Sequence, residues 1–425
     1  MALDATRIHV PFWDSLGFID AYFDHRAASG WLAYAWLPDN EHHSVWSRLL
    51  MLVEIEAFDG NGLSFQVFGT ACLLAAAAAL YLAFARAGAS APIVRHAFML
   101  ICMLVFTVPA AVDCAVAMNG GYVHATGFTV LALAAFGLAD RAPWRYGGLA
   151  ILAAIAASFG NAVGLLAWPI LAWSAARGGM GWRWVLALAG LGIAFVVAYL
   201  AHLLDGGSAG SPGRLLVDLS PERLRRLADY ALAYAGLPWT RSASLAIPGR
   251  IVGAALLAAA AWALAAHGLW RKLPRLELLC LGLILFSLGT LALATLGRVD
   301  QTMAVAVPVR YAVMMAPLQL GLLGLCWRHA ARISTAWVPQ ASAALLAAAA
   351  VLLVAQLAAV PAAIAGSSTI AATVHRYIAG ERDDSMQRVV YPDIAEADRI
   401  FARMRQAGIY CWLADATFCD PPRIP

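Results

Sequence analysis

Residues 276–296 read LELLCLGLILFSLGTLALATL, an unbroken apolar run whose only charge, Glu277, sits in its first turn. A helix rises about 1.5 Å per residue, so a run of this length reaches across the roughly 30 Å hydrocarbon layer of a bilayer. The same pattern recurs along the chain. Hydrophobic residues make up 62% of the 425 and charged residues 13%, with a mean hydropathy of +0.73. A soluble domain is about half apolar and about a quarter charged, and this excess of apolar surface has no place in water.

Ten segments carry the pattern: 65–86, 93–112, 122–139, 145–159, 161–176, 184–204, 249–267, 276–296, 309–327 and 338–362. They are continuous Leu, Ala and Val runs rather than short alternating strands, and backbone in lipid must satisfy its own hydrogen bonds, which makes helix the spanning form. The expected fold is an all-α integral membrane protein of about ten transmembrane helices. The pair 145–159 and 161–176 also admits one long helix in place of two short ones meeting at Phe159, Gly160 and Asn161.

Lys and Arg in short loops are retained on the cytoplasmic side. Arg86 with Arg95, Arg141 with Arg145, Arg177 with Arg183, Arg271 with Lys272 and Arg275, and Arg328 with Arg332 fall in every second loop. Those loops are expected in the cytoplasm and the others outside the plasma membrane, in the periplasm or its equivalent. The alternation decides for two helices over 145–176, since a single crossing would put Arg177 and Arg183 outside and invert every later loop. The net charge of +4 is distributed among loops and not gathered on one face, which argues against a nucleic-acid partner.

The chain then divides into an outer first stretch, 1–64, a transmembrane helical domain, 65–362, with an outer loop at 205–248, and a small C-terminal outer segment, 363–425. In the middle loop, Ser220 followed by Pro221 is a helix start. Leu224, Leu227, Ala228, Ala231 and Leu232 line one face of that helix, which is expected to lie on the membrane surface. The tail predicts a second helix from Ile394 to Ala407, read as a cap on the outer face. Cys411 and Cys419 stand in the oxidising outer segment, where a local disulfide is one of the two states open to them.

The first stretch concentrates acids, histidines and tryptophans: Trp13-Asp14, Asp20, Asp24, then Asp39-Asn40-Glu41-His42-His43, then Arg48, Glu54 and Glu56. Tryptophans near a membrane anchor at the headgroups, but clustered carboxylates facing anionic lipid gain nothing there. A carboxylate pair in a partly desolvated cavity suits group transfer to a hydroxyl, one acting as base and the other orienting or binding a metal. Asp14 and Glu41 are the chosen pair; the plain alternative for each is a solvated loop charge. The His and carboxylate spacing matches no closed zinc site. Magnesium or manganese held by Asp14, Glu41 and a substrate phosphate fits hard oxygen ligands better. Farther on, outer helix ends carry Asp113, Asn119, Tyr122, His124, Asn161, Arg298, Asp300, Gln301, Arg310 and Tyr311. Arg310 opens an apolar run, where it either snorkels or pairs with an anion such as phosphate.

At these residues the chain resembles the GT-C class of membrane glycosyltransferases, in particular bacterial members whose first outer loop bears Trp-Asp and a downstream Asn-Glu-His-Arg. Here those are Trp13-Asp14 and Asn40-Glu41-His42-His43. Arg48-Leu49-Leu50, the Asn161-Gly164-Leu165-Trp168-Pro169 segment and Arg310-Tyr311 are similar to family positions as well. The resemblance implies a polyprenyl-phosphate-linked sugar as donor and an envelope glycan or lipid as acceptor. Asp14 becomes the base, supported by Glu41 and His42, with Arg310, Tyr311, Arg48, His43 and Asn161 at the donor. Two departures stand out: His43 replaces the motif's arginine, and on this reading the family's first transmembrane helix is missing before Trp13. A transporter or flippase of lipid-linked sugars, and an inactive accessory subunit of envelope assembly, are the rival functions.

Overall fold

The computed structural model describes residues 10–38, 43–86, 91–105, 107, 110, 113–114, 116–139, 142–204, 220–237, 246–268, 271–298, 311–332, 338–383 and 386–410. Every regular element among them is helical. In chain order these are α1 (Asp14–Ala21), a π-helical turn (Tyr22–Arg26), α2 (Ala27–Trp36), α3 (Val45–Ala57), α4 (Leu63–Arg86), α5 (Ala91–Val105), α6 (Ala117–Gly137) and α7 (Pro143–Ser158). A 3-10 helix (Ala162–Leu166) precedes α8 (Ala167–Arg177), α9 (Trp182–Leu204), α10 (Pro221–Ala235), α11 (Ala246–His267), α12 (Arg275–Arg298), α13 (Ala312–Arg332) and α14 (Val338–Ile378). The chain closes with α15 (Met386–Val389) and α16 (Ile394–Ala407).

In each of the ten apolar segments most of the described residues are helical, and the protein is a helical membrane protein. Among the described residues, five helices are long and apolar enough to cross a bilayer: α4, most of α9, α11, α12 and α14. Three shorter apolar helices, Val94–Val105, Ala162–Arg177 and Ala312–Cys326, accompany them. One boundary moves. The last apolar segment does not stop at residue 362 but continues as one helix to Ile378. The Gly366-Ser367-Ser368-Thr369 stretch has the composition of a loop, yet Ser368 and Thr369 donate their hydroxyls to the Ala365 carbonyl at 3.0 and 2.7 Å, and Thr373 donates to Thr369 at 2.9 Å. Hydroxyls that bond back one turn remain compatible with helix.

The chain forms two compact units, and the division falls within α4, α6 and α14. The larger comprises Cys72–Thr107 and His124–Val354. Its most enclosed span is α12, 67% buried against 17% for α14. Small residues let backbones approach: a Cβ on Gly321 would meet the Cys280 carbonyl oxygen at 2.4 Å, the close packing on which helix association in lipid depends.

Residues 143–177 form a hairpin. Helix α7 ends at Ser158, Asn161 caps the 3-10 helix by accepting from the Val163 amide, and Trp168 Nε1 donates to Ser158 Oγ at 2.9 Å. A Cβ on Gly164 would lie 2.0 Å from the Ala157 carbonyl oxygen, so the turn requires glycine. The rings of Trp144 and Trp184 are 5.2 Å apart, which brings the start of α7 next to the start of α9. Two helices out and back satisfy this; one long helix does not. Other basic loops meet in the same way. Arg86 Nη1 donates to Tyr146 Oη at 2.9 Å, Leu273 N donates to the Arg177 carbonyl at 3.3 Å, and Arg275 stacks 4.9 Å over the Phe136 ring.

Helix α10 starts where expected, with Ser220 Oγ accepting from the Arg223 amide at 3.4 Å. Along the expected apolar face Leu227, Ala231 and Leu232 are half-buried. Leu224 is exposed, whereas Tyr230, Tyr234 and Ala235 are buried. Gly236 and Gly253 allow a close approach to α11: a Cβ on either would fall about 2 Å from a backbone oxygen, of Gly249 and Leu232 respectively. Helix α10 therefore docks on α11 around Leu232 and Gly236, with Arg250 paired to Asp229 across that contact, while Tyr234 meets Tyr311.

Candidate functional site

The smaller unit, residues 1–71, 108–123 and 355–425, gathers the first stretch and the tail around one core. Phe18 and Ile19 of α1, Met51 and Ile55 of α3, Tyr377 of α14 and Ile400, Phe401 and Met404 of α16 are buried together. The tail helix occupies the predicted span and is capped by Asp393, whose carboxylate accepts from the Glu396 amide at 3.2 Å. Its basic face turns to the acids of the first stretch. Arg399 Nη2 and Arg403 Nη1 each donate to one oxygen of Asp20 at 2.6 Å, and Arg403 Nη2 reaches Asp24 at 2.7 Å.

Asp14 is the first residue of α1 and half-buried. It follows Trp13, whose φ of 47° and ψ of −129° belong to the first central position of a type II′ turn, a place for glycine. The Trp13 amide donates to the Val390 carbonyl at 2.7 Å, so a contact with the distant tail holds the dipeptide in this conformation. A bulky residue in such a region stores on the order of 1–3 kcal/mol and persists only where the surroundings over-determine it.

Leu37, Pro38 and His43 are each held by side-chain contacts. Arg48 is 3% exposed; its Nε donates to the Leu37 carbonyl and its Nη2 to the Pro38 carbonyl, both at 3.0 Å. On the other side, His43 Nδ1 lies 2.7 Å from the Trp36 carbonyl oxygen, and its ring stacks on the Trp36 indole at 4.6 Å. Arg48 also lies 4.7 Å above the Phe18 ring and 5.5 Å from the Tyr34 ring. Phe18 stands one helical turn from Asp14, so Arg48 links the start of α1 to the 37–43 segment. Tyr34 donates to the Phe18 carbonyl at 3.1 Å, and burial pushes its phenol well above the ordinary range, against the pull of Arg48.

Glu54, singled out among the acids, is wholly buried and works as a helix cap. Its carboxylate accepts from the Gly62 amide at 2.9 Å and from the Ser64 amide, at the positive end of α4. Tyr410 closes over the same corner. Its amide donates to Asp59 Oδ1 at 2.8 Å, and its phenol, pushed up by burial and then by the Glu54 carboxylate, contacts Met51 Sδ at 3.7 Å.

No family model matches this chain, and no curated protein or solved structure matches it.

The remaining expected site residues lie elsewhere. Glu41, His42 and Arg310 fall outside the described residues, as do Cys411 and Cys419. Asn161 and Tyr311 belong to the larger unit. Asn161 is buried as a helix cap. The Tyr311 ring sits 5.5 Å from both the Tyr234 ring and the Arg298 guanidinium, a grouping of α10, α12 and α13 that spacing did not reveal. Among the described residues no three His, Cys, Asp or Glu side chains converge to hold a metal ion. Of the expected metal ligands, Asp14 is described and Glu41 is not.

Proposed function

We propose that this chain is a GT-C-like glycosyltransferase that moves a sugar from a polyprenyl-phosphate donor to a glycan or lipid of the cell envelope. In this reading all ten apolar helices cross the plasma membrane, the basic loops face the cytoplasm, and the smaller unit works on the periplasmic side.

The observation that carries the reading is the strained Trp13-Asp14 step, tied to Val390, at the head of a helix that Arg48 joins to the 37–43 segment. Strained backbone held by distant contacts is characteristic of functional sites. Asp14 takes the proton of the acceptor hydroxyl. The hydroxyl oxygen attacks the anomeric carbon, the bond from that carbon to the carrier phosphate oxygen breaks, and polyprenyl phosphate leaves with the bonding electrons. Arg48 and His43, assigned above to the donor, act in this scheme as positioning residues, because their polar atoms hold the flanks of Asp39–His42.

The test is transfer of radiolabelled sugar from a panel of polyprenyl-phosphate donors in membranes carrying the full chain or Asp14→Asn. Transfer that disappears in the variant, with the folded protein still present, supports the proposal. An Asp14→Asn protein as active as the parent removes Asp14 from the mechanism. Absence of transfer across the panel favours the flippase or the accessory subunit.

A further inference from the structure

Tryptophan is followed directly by arginine at four places in the chain, Trp144-Arg145, Trp182-Arg183, Trp270-Arg271 and Trp327-Arg328, and each falls in a different one of the basic loops. Two of these steps are neighbours within the larger unit. The Trp144 and Trp184 rings stand 5.2 Å apart, and Gly147 makes room for the second, since a Cβ there would meet the Trp184 ring at 2.7 Å. Tyr146, two residues on and so nearly opposite Trp144 around the helix, accepts from Arg86 Nη1 at the end of α4. The start of α7 thus adjoins both α4 and α9, and Arg86, Arg145 and Arg183 are exposed along this row of helix ends. Acids are scarce there: the sequence holds none from 86 to 95 or from 177 to 183, and Asp140 alone from 138 to 146.

Each of these helix ends heads an exposed apolar stripe. Arg145, Leu149 and Leu152 succeed one another at i, i+4 and i+7 along α7, and Leu82 stands one turn from Arg86 on α4. On α9, Trp182, Leu186 and Ile193 share a face in the same way, and the Arg183 guanidinium lies 5.9 Å over the Trp182 ring. Trp144 and Trp182 are 80% and 68% exposed, as rings that sit at the headgroup level are.

We infer that the basic-loop ends of α4, α7 and α9 form a binding site for an anionic phospholipid, with its headgroup among Arg86, Arg145 and Arg183 and its acyl chains along the α7 and α9 stripes. Guanidinium is the preferred partner of a phosphate, and basic pockets between membrane helices take anionic headgroups. A free anion would use the arginines and leave the stripes beneath them without a role; a zwitterionic lipid would cover the stripes and leave three cations unanswered. The inference concerns lipid binding alone and stands whether or not the chain transfers a sugar.

The test is native mass spectrometry of the detergent-purified full chain offered equal amounts of phosphatidylglycerol and phosphatidylcholine with the same acyl chains. The parent is expected to retain phosphatidylglycerol several-fold over phosphatidylcholine, and a variant combining Arg86→Gln, Arg145→Gln and Arg183→Gln to retain the two nearly equally. Arg145→Gln alone is expected to lower the preference part-way, and it decides the matter if the triple variant does not fold. Arg271→Gln with Lys272→Gln, exposed on another basic loop, should keep the preference; a loss equal to that of the triple variant overturns the site in favour of diffuse charge. A parent without preference overturns the inference, and so does a full preference kept by the triple variant or, where that variant is unfolded, by Arg145→Gln. Displacement of the bound lipid by millimolar inorganic phosphate marks a plain anion site and overturns it as well.

Discussion

Arg403 donates through Nη1 to Asp20 Oδ1 at 2.6 Å, across a sequence separation of 383 residues. Its second terminal nitrogen holds Asp24, and its guanidinium lies 4.9 Å over the Phe23 ring. One side chain of the tail thus takes up two of the acids that the first stretch offers as candidates for chemistry.

Asp20→Ala leaves Arg403 and Arg399 facing one another with only Asp24 and Glu396 nearby. The pairs are partly exposed, so the expected loss is modest, about 1 kcal/mol. It should appear in hydrogen exchange as faster opening of α16 and α1, while α12 is unchanged. High salt in the parent should produce part of the same effect.

Glu54→Gln keeps the shape of the side chain but removes the charge from the N-terminal end of α4 and turns one acceptor into a donor facing an amide. The Gly62 or Ser64 amide then loses its partner. A loss of about 1–3 kcal/mol is expected, read as a lower melting temperature of the detergent-solubilised protein. Glu56→Gln, on an exposed neighbouring position, should leave it unchanged.

Ser287 repairs the gap that Pro317 opens in α13. Its hydroxyl accepts from the Leu318 amide at 2.9 Å and donates to the Met314 carbonyl at 2.8 Å, standing between two groups that would otherwise bond to each other. Ser287→Ala is expected to cost about 1–2 kcal/mol, since in lipid no water replaces the lost partner. Unchanged thermal stability would mean that the helix closes the bond by itself.

Asp229 receives two hydrogen bonds from Arg250, and these hold its carboxyl below the usual carboxylate range. A lowered folded value means that the contribution is complete above the unfolded value, about 4, and disappears as pH falls through the folded one. Thermal melts from pH 5 down to pH 3 should show the docking of α10 weakening with acid. Asp229→Asn should flatten that part of the profile. The pair is about one-third exposed, so the amplitude is small.

Membrane character, the helical segments and the ends of α16 were legible because each rests on local pattern: apolar run length, Asp393 as cap, Gly408 as stop. The end of α14 was misjudged because a Gly-Ser-Ser-Thr stretch is ambiguous until its hydroxyls find carbonyls one turn back. The docking of α10 on α11 was not legible either, because Gly236 and Gly253 permit a close approach to the Gly249 and Leu232 carbonyls that composition does not reveal.

The roles of individual polar residues were the least legible. Arg48 and Glu54 have the chemistry of a phosphate ligand and a catalytic acid, yet they hold the carbonyls of Leu37 and Pro38 and the amides of Gly62 and Ser64. A charged side chain declares what it can bond to, not which partner the fold delivers. The sequence by itself determined a helical membrane chain with its apolar segments and basic loops, because solvation in lipid acts on each segment separately. Tertiary structure alone decided that the tail closes on the first stretch and that Trp13 is held in a glycine conformation by Val390. Those outcomes depend on contacts between residues far apart in the chain, whose energies no local pattern records.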